Sequence, residues 1–256
     1  MTKLLVQTGQ FRGTQRQPLR NVLIHAPTIV WVHRGHKQLW WHDAPHRYTP
    51  SDWLVVPASH YLTFVNEPDQ TQFYSRTMTF HEAPPSEWIQ ESAEKALHAE
   101  PRVQVTPQLD YCFNALFDMS EKALSHDTQR QFLLGFYAEL KHVGALHLLF
   151  LGERKSVRER LASYLSINPG DAHHIETVAN HFSMSRATMV RRLNAESTSF
   201  RQVLTHVRMN YALSLMQSSR SQLDVALTCG YQSEARFSSR FKQEFGLTPR
   251  QYLKTL

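Results

Sequence analysis

HIETVANHFSMSRATMVRRLNAE (His174–Glu196) and QLDVALTCGYQSEARFSSRFKQEF (Gln222–Phe245) are two copies of one helical device. Each sets a small residue, Ala179 or Ala226, four positions before a turn residue, Ser183 or Gly230. Each then opens a second helix with a serine cap, Ser185 or Ser233, and fills that helix with arginine. A small residue lets two helices touch, the turn reverses the chain, and the second helix keeps an apolar inner face and a polar outer one. That is a helix-turn-helix, whose second helix enters the major groove of DNA.

The faces can be assigned by helical spacing. In the first copy Ile175, Val178, Ala179 and Phe182 face inward, as do Met189 and Leu193. This leaves Arg186, Ala187, Val190 and Arg191 outside. Arginine grips guanine O6 and N7 bidentately, while alanine and valine meet a thymine methyl. In the second copy Leu223, Ala226 and Leu227 are expected to face the core, and Phe237, Phe241 and Phe245 form a buried stripe. Glu234, Ala235, Arg236 and Ser239 then point outward. Glu234 can accept from cytosine N4 or simply favour the helix N-terminus. Arg240 and Lys242 are placed for phosphates or for internal pairing. Between the copies Ser199–Gln217 reads as one helix, with Phe200, Val203, Leu204, Val207, Tyr211, Ala212 and Leu215 on its apolar face. About 19 residues at ~1.5 Å each span ~28 Å, close to the ~34 Å between successive major grooves on one side of B-DNA. An all-helical bundle with incidental arginines would leave the doubled turn and cap without a common cause.

Charge agrees. From Glu153 onward 15 Lys and Arg stand against 8 Asp and Glu, whereas the preceding residues carry 13 against 14. The whole basic excess thus lies with the doubled device, as phosphate binding requires.

Upstream the chain reads differently. From about Asn21 to Phe80 the segments VLIHA, TIVWVHRG, KQLWWHD, DWLVVPA, YLTFVN and QFYSRTMTF are β-branched and aromatic, separated by Pro27, Gly35, Asp43-Ala44-Pro45, Pro50, Pro57 and Asn66–Asp69. Such spacing predicts a small sandwich or barrel. Ser86 caps a helix running to about Ala99, and amphipathic helices follow over about Gln108–Leu124 and Thr128–Leu151. Gly152-Glu153-Arg154-Lys155 reads as the seam between domains 1–151 and 152–256, and Val157–Ile167 as a further helix stopped by Asn168-Pro169-Gly170. The fold class is therefore α+β.

Gly230–Tyr252, GYQSEARFSSRFKQEFGLTPRQY, resembles the signature of the AraC/XylS family of bacterial transcription regulators. Gly230-Tyr231, Ser233, Phe237, Arg240-Phe241-Lys242, Gly246 and Pro249–Tyr252 carry the likeness, which reaches back to about Val157. It implies a seven-helix domain binding asymmetric double-stranded DNA sites near promoters, and regulation, usually activation, through contact with RNA polymerase. The N-terminal half is similar, less specifically, to the small cupin-like barrels that serve such regulators for sensing or dimerisation. Asp52-Trp53-Leu54-Val55-Val56-Pro57 carries that likeness. It implies a small-molecule effector pocket, and a homodimer contact on the helices 108–151.

Other functions find less support. Seven of the 15 histidines lie among the first 81 residues, but no His-x-His with a following acid occurs, so neither a metal site nor a cofactor is expected. No Ser-His-acid or paired-carboxylate set is legible, so no catalytic residue is assigned. A cupin-type metal-dependent sensor or enzyme with an appended DNA module is the alternative. Cys112 and Cys229 are too few and too far apart for a disulfide framework. No run approaches the ~20 apolar residues of a membrane span, and the start MTKLLVQTGQFRG lacks a signal-peptide core. A cytosolic protein is expected. The aromatics Trp31, Trp40, Trp41, Trp53, Tyr48, Tyr61, Phe64 and Phe73 either fill the barrel or line its pocket.

Overall fold

The computed structural model describes residues 5–41, 44–95, 101–122, 124–150, 156–218 and 220–256. Eight strands come first: β1 (Val6–Gly13), β2 (Gln17–Ile24), β3 (Thr28–Arg34), β4 (His36–Trp41), β5 (Ala44–Tyr48), β6 (Asp52–Val56), β7 (His60–Glu67) and β8 (Phe73–Phe80). α1 (Ser86–Glu94), β9 (Arg102–Gln104), α2 (Pro107–Ser120), α3 (His126–His142) and α4 (Leu146–Leu149) follow. All pairings are antiparallel. They give a five-stranded sheet, β1-β8-β3-β6-β9, and a four-stranded sheet, β2-β7-β4-β5. The result is a two-layer sandwich with two open sheets.

The run IVWV (Ile29–Val32) of β3 is apolar at every position because both faces of its sheet are covered. Val30 joins the core between the sheets, whereas Ile29 and Trp31 join a second core under α2 and α3. There Trp31 meets Phe113 edge-on, and Trp53 packs against Phe113 and Phe136. Each helix has its cap: Thr106 accepts from the Leu109 amide and Ser125 from that of Thr128.

Three strands escape the hydrophobic pattern. β1 and β9 are the two edges of the larger sheet, and β1 is rich in Gln, Thr and Gly. β5 contains Ala44 and Pro45, which the sequence assigns to a turn. It is an edge strand pairing Pro45 with Trp40, and an edge tolerates a residue without an N–H. Of the tryptophan pair, Trp40 is 42 % exposed, and the side chain of Trp41 lies outside the described residues. The seam predicted at 152–155 and the end of the helix predicted to run to 99 also lie outside them.

The C-terminal part comprises α5 (Val157–Leu165), α6 (Ile175–His181), α7 (Arg186–Ala195), α8 (Phe200–Leu215), α9 (Gln222–Thr228), α10 (Glu234–Phe245) and α11 (Pro249–Leu253). α5 opens on a full capping box, Ser156 with Glu159, and the Glu196 carboxylate at the end of α7 accepts from the Val157 and Arg158 amides. α8 spans two cores. Val203 and Val207 pack with Val178, Met189 and Leu193 of the first unit. Met209, Ala212 and Leu213 pack with Phe237, Phe241 and Phe245 of the second, and that cluster continues into Leu19, Val22, Leu62 and Phe64 of the sandwich. Met209 and Leu213 lie off the predicted apolar stripe because this half of the helix is buried on two sides.

Candidate nucleic-acid interface and ligand cavity

The two copies fold alike in detail. The turn residues Ser183 and Gly230 take positive φ, 54° and 76°. In each, the next amide, Met184 or Tyr231, donates 2.9 Å back to the carbonyl of the small residue, Ala179 or Ala226. Both small residues are fully buried, so the helices touch there. Ser185 accepts from the Thr188 amide at 3.1 Å and Ser233 from the Arg236 amide at 3.4 Å. The same short grammar therefore gives the same backbone device twice.

Outward faces follow. Arg186, Ala187, Val190 and Arg191 on α7 are all exposed, as are Glu234, Ala235, Arg236, Ser239 and Lys242 on α10. Beneath them lie the buried side chains of Met189 and Leu193, and of Phe237, Phe241 and Phe245. Arg186 sits 3.4 Å from Glu176 of the supporting helix, an exposed pair that holds little energy. Glu234 accepts from Gln222 at 2.6 Å and Arg236 donates to Gln232 at 3.0 Å. Arg240 is half-buried and donates to Gln243, so it is turned toward its own helix. One expectation is overturned: Leu223 and Leu227 are 48 % and 54 % exposed, and Val225, Ala226 and Cys229 fill the core instead. The inner face of α9 is therefore set by the contact of Ala226 with α10, and the two leucines fall on the opposite side.

Arg208 of α8, which sequence reasoning did not single out, fixes the units relative to each other. Its guanidinium donates to the carbonyls of Pro169 at 3.0 Å and Asp171 at 2.9 Å, in the loop before the first unit, and reaches the Tyr231 ring of the second turn. Gly170 lies so close that a Cβ there would overlap the Thr228 carbonyl oxygen, and one at Gly230 would come 2.6 Å from the Gly170 oxygen. The loop before the first unit is thus clamped onto the turn of the second. Helix stops read simply as stops carry no sign of that contact.

A cavity of ≈ 180 Å³ lies between the sheets, α8 and Tyr252. Leu19, Val22, Leu62, Phe64 and Leu213 give it apolar walls. Lys37 enters from β4 and is only 4 % exposed. Its ammonium donates to the Asn66 Oδ1 at 2.5 Å and lies 3.4 Å over the Phe64 ring. No carboxylate pairs with it among the described residues, and burial holds its pKa well below the usual lysine range. Asn66 in turn donates to Gln17, and Gln17 to Thr255. The sequence signal for Lys37 was available: a lysine at an inward position of a strand. It is drowned by the neighbouring polar residues His36 and Gln38. Among the described residues no three His, Cys, Asp or Glu side chains converge as metal ligands would.

The sequence model of the helix-turn-helix domain matches residues 178–255, from within α6 through both turns and the helix between them to the end of α11. This part of the chain is a helix-turn-helix domain. It is 34 % identical over 101 residues to the porin thermoregulatory protein EnvY of Escherichia coli, and 30 % over 121 residues to an E. coli urease operon transcriptional activator. The matches cover 39 % and 47 % of this chain and 40 % of each relative, so the chain spans less than half of the curated relatives it matches. ToxT of Vibrio cholerae, solved with an unsaturated fatty acid bound, has the same fold across the whole length: TM-score 0.60 at 14 % identity, covering 100 % of this chain and 97 % of that one.

Proposed function

We propose that the chain is a sequence-specific DNA-binding regulator of transcription, with residues 1–151 sensing and dimerising and residues 152–256 reading DNA. One observation carries this: two units with the same turn and cap hydrogen bonds, whose second helices keep Arg186, Arg191, Glu234 and Arg236 exposed on their outer faces. Arg186, Ala187, Val190 and Arg191 read one major groove, and Glu234, Ala235, Arg236 and Ser239 the next. Lys242 holds phosphates. Mobility-shift titration on sites selected from random duplexes tests it. The reading fails if no sequence is enriched over non-specific binding. The protein acts in the cytoplasm, as a regulator rather than an enzyme. Contact with RNA polymerase makes it an activator, a role supported by its likeness to the urease operon transcriptional activator. Pairing of two copies uses the outer faces of α2 and α3, where Tyr111 (74 % exposed) and Phe132 (46 %) stand out from the surface.

The cavity takes a small amphipathic carboxylate. A buried ammonium held only by an amide oxygen and an aromatic face is costly until an anion joins it. The apolar walls suit a short tail, and the fatty acid bound to ToxT is of the same chemical kind. A hole of ~150 Å³ admits benzene, so the ≈ 180 Å³ here admits a small organic ligand. Calorimetric titration with octanoate tests this: binding to the wild type that Lys37→Met abolishes is expected. Equal binding to both, or to neither, contradicts it.

A further inference from the structure

The wall facing Lys37 is polar where a sandwich interior is ordinarily apolar. On β8 the residues Ser75, Thr77 and Thr79 occupy alternate positions and all line the cavity. The opposite face of the same strand carries Met78 and Phe80, buried under the helices. Thr79 is satisfied by the Thr28 hydroxyl at 2.9 Å. Ser75, 2 % exposed, and the half-buried Thr77 add two further hydroxyls to this wall. At the end of the row His25 also lines the cavity, and its Nε2 is shut off from solvent without a partner. A buried ring nitrogen left unpaired is costly, and with the Ser75 and Thr77 hydroxyls lining the same cavity it favours a polar partner in whatever fills that cavity. The row belongs to the five-stranded sheet and Lys37 to the four-stranded one. Packed layers lie ~10 Å apart, so one medium-sized molecule reaches both walls.

We infer that the cavity selects a hydroxylated carboxylate, its carboxylate on Lys37 and its hydroxyl on the Ser75–Thr77 wall. This rests on the reading of the cavity as a carboxylate site. It narrows that class, because a plain alkyl or aryl tail would leave the wall unpaired. A site built to pair a ligand hydroxyl discriminates strongly against the analogue lacking it.

The test is calorimetric titration of the full chain with octanoate and with 3-, 5- and 8-hydroxyoctanoate. Wild type, Ser75→Ala/Thr77→Val and Lys37→Met are compared, with retained binding to DNA confirming that each variant is folded. At least one hydroxy isomer binds wild type about tenfold or more tighter than octanoate, the effect of one well-made hydrogen bond. In Ser75→Ala/Thr77→Val that preference falls to about twofold or less while octanoate binds as before. Octanoate binding wild type as tightly as every hydroxy isomer overturns the inference, as does a preference that survives in the double variant. In either case binding lost in Lys37→Met still upholds the carboxylate site. No binding by any of the four removes both readings.

Discussion

The Gln17 side chain donates to the Thr255 hydroxyl at 3.0 Å across 238 residues of sequence, and both residues are buried. Gln17 also accepts from Asn66, which accepts from Lys37, so the cavity ammonium connects to the last turn of the chain through hydrogen bonds alone. Thr255 is anchored on the Tyr252 carbonyl, and the Tyr252 ring packs against Phe241 in the buried stripe of α10. A change of charge state or ligand at Lys37 is therefore expected to be felt at the helix that presents Glu234 and Arg236. Gln17→Leu keeps the volume and removes every polar link. It is expected to cost ~2–3 kcal/mol in a urea titration, since partners on both sides lose a hydrogen bond, and to weaken the effect of octanoate on DNA affinity. Unchanged stability together with an unchanged ligand effect contradicts this.

Lys37→Met replaces a buried cation lacking a counter-ion with a side chain of similar length. Its expected effect on the ligand-free protein is stabilisation by ~1–3 kcal/mol, because the desolvation cost disappears. A melting temperature below wild type shows instead that the Asn66 and Phe64 contacts outweigh that cost.

Gly170→Ala drives a methyl into the Thr228 carbonyl, at the clamp between the two units. The loop must move, taking the Arg208 hydrogen bonds with it. A stability loss of ~1–3 kcal/mol is expected, with weaker binding to a two-groove site and little change for a half-site read by one helix. Equal losses on both DNAs argue against a role in spacing.

Acid should loosen the sandwich. Burial lowers the His25 imidazole to about 4, and burial with the nearby Arg76 guanidinium does the same for His33. The unfolded chain takes up these protons below the ordinary value of 6.5, the folded chain only near 4. Unfolding therefore binds protons between those values, and stability falls as pH drops from about 6.5 toward 4, levelling below. Chemical denaturation across this range checks it, and His25→Phe should flatten the profile. A profile already flat in wild type contradicts the burial.

The doubled unit was legible because turn, cap and stripe are local: Ser183, Gly230, Ser185 and Ser233 act on atoms within five residues. The β-branched and aromatic runs of β3, β6 and β7 announced strands for the same reason. Edge strands were not legible, because β1 and β5 owe their structure to the neighbour they pair with. Leu223 and Leu227 were misplaced because the inner face of α9 is set by the packing of Val225, Ala226 and Cys229, which the leucine spacing does not reveal. The clamp by Arg208, the chain from Lys37 to Thr255 and the hydroxyl wall of β8 join residues far apart in sequence. Only the packing of α8 and α10 on the sandwich brings them together.

The central claim is that α7 and α10 read successive major grooves of one duplex. Methylation interference on a selected site, with wild type, Arg191→Ala and Arg236→Ala, tests it most directly. Two clusters of guanines whose N7 methylation blocks binding, about one helical turn (~10 bp) apart, are expected. Arg191→Ala should erase one and Arg236→Ala the other, each weakening specific binding by ~1–3 kcal/mol. A single cluster, or a pattern that neither substitution alters, contradicts it.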